Sequence, residues 1–398
     1  MKKKKKKWIK FRHRVIRNLV CPILGTVSRI KYGAKVRPFR EQGKRQYLIL
    51  FNHQTAFDQF FVGMAFRGPV YYLASEDLFS NGWISRLLEW AVAPIPIKKQ
   101  TGDAQAVYQC LRVCREGGTI ALSPEGNRTY CGKTGYIKPS VVKLVRAMKL
   151  PLALFRIEGG YGVQPRWSDV TRKGGLTAGV SRVVEPEAYN QMTDDELLEL
   201  ITRELMVDEG TADRAFAHKN NAEYLERAVY VCPWCGLSEW ESSGDLIGCK
   251  RCGRHVRHLP TKELVGVEEP FPFRFVTEWY QHQCNYVNRL NPDDYVEEPM
   301  YRDRVDLYEV ALYKRKKLLK KDVCLSLYGD RIELGDRKLP FSQLQVTILG
   351  RNKLNFYFED QLYQVKGEKR FNALKYVNMA HRYKNVSEGN ENGEFLGL

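Results

Sequence analysis

The sequence has no apolar run long enough to cross a bilayer. Its longest apolar stretches, Leu19 to Val27 and Phe60 to Phe66, fall far short of the roughly 18 to 20 residues a spanning helix needs. A secretory signal peptide is also not expected, because Pro22 and Gly25 interrupt a weak apolar region and no small-residue cleavage site follows. No Gly or Pro period runs through the chain and aromatics make up 12% of it, which excludes collagen-like, low-complexity and wholly disordered chains. Acid is absent from residues 1 to 40, which hold fifteen Lys or Arg, so the remainder carries only +3 of the total +18. A protein coated with charge to hold nucleic acid spreads that charge over its domains, so this distribution argues against nucleic acid and gives the arm a role of its own. The ten cysteines are not a small disulfide scaffold: they sort into two CxxC pairs and six singles, which indicates a reducing cytosol.

What is present is a folded chain of 398 residues, 43% of them hydrophobic, enough for two or three domains. Lys2 to Lys7 form a cationic run, and from Trp8 apolar residues recur at helical spacing: Trp8, Phe11, Val15 and Leu19, flanked by Ile9, Ile16 and Val20. Lys10, Arg12, Arg14 and Arg17 fill the other positions. A basic amphipathic helix of this kind is built to lie in the interface of an anionic membrane, with Pro22 expected to end or kink it. The alternatives are a solvated, disordered Lys tail before an ordinary core helix, or a tail that binds nucleic acid nonspecifically.

From residue 45, short β-rich runs alternate with helical stretches, the pattern of an α/β layer architecture. Strands are expected at Gln46 to Phe51, Val70 to Leu73, Thr119 to Leu122, Leu152 to Ile157 and Thr177 to Val184. Helices are expected around Gln59 to Phe66, Glu76 to Val92, Ala104 to Arg115, Val141 to Met148 and Asp194 to Leu205. Two polar clusters follow strands, where such a sheet presents its chemistry. In Asn52-His53-Gln54-Thr55-Ala56-Phe57-Asp58, an aspartate five positions after a histidine can hold one imidazole nitrogen, leaving the other as a base toward a substrate hydroxyl. Alone, Asp58 reads equally well as a helix cap and His53 as a loop histidine. In Ser123-Pro124-Glu125-Gly126-Asn127-Arg128-Thr129, Gly126 can expose its N–H, Arg128 can fork onto phosphate oxygens, and Glu125 can hold a hydroxyl or order the arginine. Alone, this is also a polar turn with an Arg–Glu pair.

Together the two clusters are specific. An Asn-His with an Asp at the fifth place, followed by Pro-Glu-Gly-x-Arg, resembles the glycerolipid acyltransferase family, best known for the 1-acylglycerol-3-phosphate acyltransferases. The resemblance covers about residues 35 to 205 and includes Ala93-Pro94-Ile95-Pro96-Ile97-Lys98-Lys99 as the second block. It implies that His53 is the general base on the acceptor hydroxyl and that Asp58 orients it. Glu125, Gly126 and Arg128 would hold the glycerol phosphate end of the acceptor, and Lys99 would stand where the family has an arginine. The chain also departs from the family at Ser123, Asn127 and Thr129, and a second proline after Leu154 is missing. The implied reaction is direct transfer of a fatty acyl group from a thioester, acyl-coenzyme A or acyl-acyl carrier protein, to a lysophospholipid. An enzyme acting there without spanning helices has to dock at the interface, which would be the work of the arm on the inner face of the membrane.

Cys232, Cys235, Cys249 and Cys252 form CxxC, thirteen residues, CxxC, the spacing of a four-thiolate zinc site. Four sulfurs close the coordination sphere, so a structural zinc ribbon is expected ahead of catalytic or redox use, with His255 and His258 outside it. Zinc ribbons bind nucleic acid or protein, or serve as spacers, and the spacing alone does not choose. After Glu269-Pro270-Phe271-Pro272, an aromatic-rich helix is expected over Phe275 to Leu290. Strands are then expected at Leu325 to Tyr328, Arg331 to Leu334, Gln343 to Leu349, Lys353 to Phe358 and Gln361 to Lys366, with a final helix from Phe371 to Tyr383. Meandering strands with one terminal helix have the shape of a pleckstrin-homology-like barrel. Lys314 to Lys317, Lys320 and Lys321 form either a second lipid-facing patch or a solvated basic edge.

The expected organisation is a membrane-docking arm at 1–34, an α/β acyltransferase domain at 35–210 and a zinc ribbon at 225–262. A linker with a helix at 263–300, a β-rich domain at 301–385 and a disordered tail at 386–398 follow. The rival reading is a binding module for nucleic acid or protein on a degenerate acyltransferase scaffold.

Overall fold

The computed structural model describes residues 7–97, 104–311, 313–359 and 361–390. Lys99 and Lys2 to Lys6 lie outside the described residues, as do residues 391–398.

The first domain contains α1 (Phe11–Tyr32), β1 (Ala34–Val36), β2 (Leu48–Phe51), α2 (Asp58–Ala65), β3 (Val70–Ser75), α3 (Trp83–Val92), β4 (Ile95–Ile97) and α4 (Ala104–Arg115). It continues with β5 (Thr119–Leu122), α5 (Ser140–Met148), β6 (Leu152–Glu158), α6 (Gly160–Val163), β7 (Leu176–Val184), α7 (Pro186–Asn190) and α8 (Asp194–Leu205). Its sheet has the order β1-β7-β6-β2-β5-β3-β4, with β6 and β7 antiparallel and every other pair parallel. The central β2 is buried along its whole length, which is why its sequence is a continuous apolar run rather than an alternation. The expected strands and helices are present except that the helix expected over Glu76 to Val92 is broken: a 3-10 turn covers Glu76–Phe79 and the α-helix starts at Trp83, after Gly82 at φ +63. Helix α8 opens with the Thr193–Glu196 capping box. The loops after β2 and β5 emerge side by side, because those strands are parallel neighbours.

The arm differs from expectation. The helix α1 begins at Phe11 and runs through Pro22 to Tyr32. Pro22 is exposed, so the carbonyl left without its helical partner can be solvated. Gly33 ends the helix at φ +58, and a Cβ there would lie 2.9 Å from Gly175 Cα, so glycine is required on both counts. The segment is docked on the domain: the backbone N–H groups of Trp8 and Ile9 donate to Glu116 Oε2 at 2.7 and 2.9 Å. Trp8 Nε1 donates to Ala93 O at 3.1 Å, and His13 Nδ1 meets Tyr71 Oη at 3.0 Å. Trp8 and Ile9 therefore face the core, while Phe11, Val15, Leu19, Ile23, Val27 and Ile30 form an exposed stripe.

The cysteine module follows, with β8 (Val231–Cys232), β9 (Gly236–Leu237), β10 (Trp240–Ser243), β11 (Leu246–Cys249), β12 (His255–His258) and β13 (Leu264–Gly266). The strands β10 to β13 form an antiparallel sheet, so the module reaches into the expected linker. The aromatic-rich helix α9 (Val276–Val287) leads to β14 (Tyr301–Val310), β15 (Lys317–Leu327), β16 (Arg331–Leu334), β17 (Arg337–Pro340), β18 (Gln345–Leu349), β19 (Lys353–Phe358) and β20 (Gln361–Gly367). Helix α10 (Leu374–Ser387) is the last element among the described residues and runs into the segment expected to be disordered. The seven strands pair antiparallel in the order β17-β16-β15-β14-β20-β19-β18. One apolar cluster runs without a break from Tyr130, Tyr161 and Trp167 of the first domain, through the cysteine module, into the C-terminal sheet and α10.

Candidate active site

The polar loop after β2 folds on Asp58, the first residue of α2. Its carboxylate is fully buried and accepts from His53 Nδ1 at 2.8 Å. The same Oδ2 accepts the N–H groups of Gln54 at 2.6 Å and Thr55 at 3.0 Å, and Oδ1 accepts the Thr55 hydroxyl at 2.7 Å. A carboxyl group surrounded by this many donors acts as the acceptor toward the ring and fixes the imidazole in one tautomer, with the proton on Nδ1 and the basic lone pair on Nε2. His53 itself is 24% exposed, so the pair sits at the edge of solvent with its acid inside. Asn52 locks the strand end by pairing its amide with Ile157 at 2.8 Å in both directions.

The loop after β5 braces this arrangement. Glu125 accepts the His53 backbone N–H at 2.7 Å and that of Gly135 at 2.6 Å, while the Thr129 N–H donates to the His53 carbonyl at 3.0 Å. Burial pushes the Glu125 carboxyl up to about 8 against the pull of those two N–H groups, and the Asp58 charge adds to the push. Gly126, at φ +72, spends its N–H on Ser123 O at 3.2 Å, so the glycine serves the turn itself. Arg128 Nη1 is buried with no hydrogen-bond partner among the described residues. Burial lowers its guanidinium to about 10, with the charges of Arg166 and Arg351 acting in the same direction.

The structure therefore brings His53, Asp58 and Glu125 into direct contact, with Gly126 and Arg128 on the same loop as Glu125. Residues 30–157 match the Acyltransferase family model. The match covers about a third of the chain and holds both loops, so this is an acyltransferase domain. No curated protein matches the sequence. Among solved structures, the chain is similar to the 1-acyl-sn-glycerophosphate acyltransferase PlsC of Thermotoga maritima, at 18% identity and a TM-score of 0.39, over 47% of this chain and 77% of that one.

Thr55, Arg166 and Arg351 escaped the sequence reading. Thr55 stood inside the His53 motif and offered a hydroxyl at the right place. The two arginines had no signal, because Arg166 reaches the Arg128 carbonyl and Arg351 reaches Asp169 only through the tertiary fold.

The four cysteines also come together, their sulfurs all within 4.8 Å of one another. The Cys232–Cys252 and Cys235–Cys249 separations are 3.8 and 3.6 Å, close to the ~3.8 Å edge of a tetrahedron with Zn–S bonds of about 2.3 Å. These residues fit a zinc ion. His255 pairs instead with Glu268 at 2.8 Å. His258 is buried, pushed down to about 3 by burial and then by Arg172, and it lies outside the sulfur cluster.

Among the described residues no helix is long and apolar enough to cross a membrane. Beside the stripe on α1, helix α3 exposes Trp83, Ile84, Leu87 and Trp90, and Arg12 of α1 donates to Trp90 O at 2.8 Å.

Proposed function

We propose that the protein is a peripheral O-acyltransferase that moves a fatty acyl group from an acyl thioester to the free hydroxyl of a lysophospholipid, with 1-acylglycerol-3-phosphate as the leading acceptor. The observation that carries this reading is the buried Asp58 on His53 Nδ1 at 2.8 Å, inside the family-matched segment. His53 Nε2 takes the acceptor's hydroxyl proton as that oxygen attacks the thioester carbonyl, and Asp58 stabilises the imidazolium. The tetrahedral intermediate collapses by breaking the C–S bond, and the thiolate leaves with the proton carried by His53. The product is an ester and a free thiol. Glu125 holds His53 in place through the backbone, Gly126 shapes the turn, and Arg128 meets the acceptor phosphate. Lys99 is assigned to the same phosphate end on the family resemblance. A zinc ion on Cys232, Cys235, Cys249 and Cys252 would be structural, since four thiolates fill its coordination.

The protein acts at the inner face of an anionic membrane. The exposed stripes of α1 and α3 supply an apolar surface, and the basic residues of the arm supply the charge. The tip of the β14–β15 hairpin adds to it: Tyr313 N–H donates to Phe79 O at 2.7 Å, and Asn81 bridges to Arg315. Leu318 and Leu319 are exposed there among the lysines, which favours the lipid-facing reading of that run. Seven antiparallel strands and a terminal helix support the pleckstrin-homology-like reading of the domain.

The test is thiol release from long-chain acyl-coenzyme A with lysophosphatidate on anionic vesicles, wild type beside His53→Ala. Release that requires the acceptor and falls by about 10²- to 10⁴-fold in the variant is expected. Full turnover without His53 would sink the mechanism.

A further inference from the structure

Arg166 follows α6 and is buried, yet among the described residues no acid forms an ion pair with it. Its guanidinium donates to Arg128 O at 2.9 Å, and reaches across to Ile348 O at 3.3 Å and Gly350 O at 3.4 Å in the C-terminal domain. It thereby clasps the Glu125–Arg128 loop to the turn between β18 and β19. Arg351, next on that turn, donates to Asp169 Oδ1 at 2.9 Å, and the same Asp169 oxygen accepts from Arg227 at 2.7 Å. One carboxylate thus serves two guanidiniums at the rim, and among the described residues none is ion-paired to Arg128 or Arg166. Burial of Glu125 keeps its carboxyl largely protonated near neutral pH, which removes another negative charge from the neighbourhood. The Asp58 carboxyl offsets part of the charge on Arg128, but its oxygens are taken by His53, Gln54 and Thr55, so three guanidiniums gathered this way still repel one another unless a further anion sits among them.

We propose that Arg351 and Arg166 complete, with Arg128, a composite anion site shared by the two domains and matched to a phosphomonoester headgroup on the acceptor. The inference rests on the acyltransferase reading. A phosphomonoester brings a charge of about −1.5 to −2 and three terminal oxygens, which three arginines can neutralise, whereas a phosphodiester brings one charge and fewer oxygens. Arg166 acts as a positioning residue, since its donors are committed to carbonyls. Arg351 is the specificity residue.

The experiment uses the full-length zinc-loaded protein and glycerol 3-phosphate as probe, with binding followed by calorimetry. Turnover is measured in parallel on lysophosphatidate and on a lysophospholipid whose phosphate is a diester. R351Q should weaken glycerol 3-phosphate binding about ten-fold and raise KM for lysophosphatidate by a similar factor, leaving KM for the thioester unchanged, and R351K should recover part of the loss. D169N breaks the same inter-domain tie but keeps the arginine, so it should retain most of the binding. Unchanged binding in R351Q, equal losses in D169N and R351Q, or equal losses on monoester and diester acceptors would each overturn the site. If the protein binds glycerol 3-phosphate but moves no acyl group, the acyltransferase reading fails while the anion site stands.

Discussion

At the scale of single residues, the site depends on two buried carboxylates with opposite tasks. Asp58 is surrounded by donors and, in the proposed mechanism, supports the positive charge that forms on His53, so Asp58→Asn should cost turnover about as heavily as His53→Ala, by about 10²- to 10⁴-fold. It should also destabilise the fold by about 1–3 kcal/mol, because an amide nitrogen would face at least one N–H of Gln54 or Thr55. A urea midpoint unchanged from wild type would mean that the Asp58 cradle is looser than its distances indicate. Glu125 behaves differently. Its carboxyl titrates near 4.5 when unfolded and about 8 when folded, so between those values the folded state holds a proton that the unfolded state has lost. Stability from this group therefore falls as pH rises from about 4.5 to about 8. In Glu125→Gln the term is gone, so the gap in thermal midpoint between wild type and variant should shrink as pH is raised from 5 to 8. A constant gap would show that Glu125 is ionised throughout.

The elements explain what was legible and what was not. The His53–Asp58 pair could be read from spacing because both residues lie on one short turn from strand to helix. The part played by Glu125 could not, because its partners are backbone N–H groups, which no residue type announces. The strand β14 and the first part of β15 were missed for a related reason: β14 carries charge at Arg302, Asp303, Arg304, Asp306 and Glu309, and only Tyr301, Val305, Leu307 and Val310 are buried on it. The first half of β15 is a run of exposed lysines and leucines, which hides a period of two. Helix α1 outlasts Pro22 because its inner face is tied down by His13 and Arg17, so tertiary bonds override a local helix breaker. That inner face leaves the outer one exposed, the face proposed to dock on the membrane. Leu19 and Ile23 are 67% and 64% exposed, so Leu19→Ser with Ile23→Ser should leave thermal stability within about 0.5 kcal/mol. Affinity for phosphatidylglycerol vesicles should fall at least about ten-fold, since each buried large apolar side chain is worth about 1.5–3 kcal/mol. Vesicle flotation equal to wild type would assign docking to other surfaces.

For the whole molecule, the decisive feature is that the cysteine module is built into the core that joins the other two parts. Val231, beside Cys232, accepts from Trp279 Nε1 at 2.8 Å, and Trp279 packs on Trp240 with ring centroids 4.8 Å apart. Tyr301 Oη of the C-terminal sheet donates to Tyr230 O at 3.1 Å, and Asn378 of α10 donates to Tyr230 Oη at 2.8 Å. Arg227 ties Trp167 O of the first domain to this segment at 2.9 Å. The strand carrying the first cysteine is thus held from both sides. Structural zinc in finger modules is worth about 10–16 kcal/mol of apparent binding energy, far more than the margin of an ordinary domain. Removing the metal by chelation, or one ligand by Cys249→Ser, should therefore lower the thermal midpoint of the whole chain in a single transition. Glycerol 3-phosphate binding should fail along with it, because the proposed anion site draws Arg128 from one domain and Arg351 from the other and is assembled only while that core is intact. A metal-free protein that melts in two steps, with acyl transfer surviving to the second, would show instead that the acyltransferase domain stands alone and that the module is a detachable spacer.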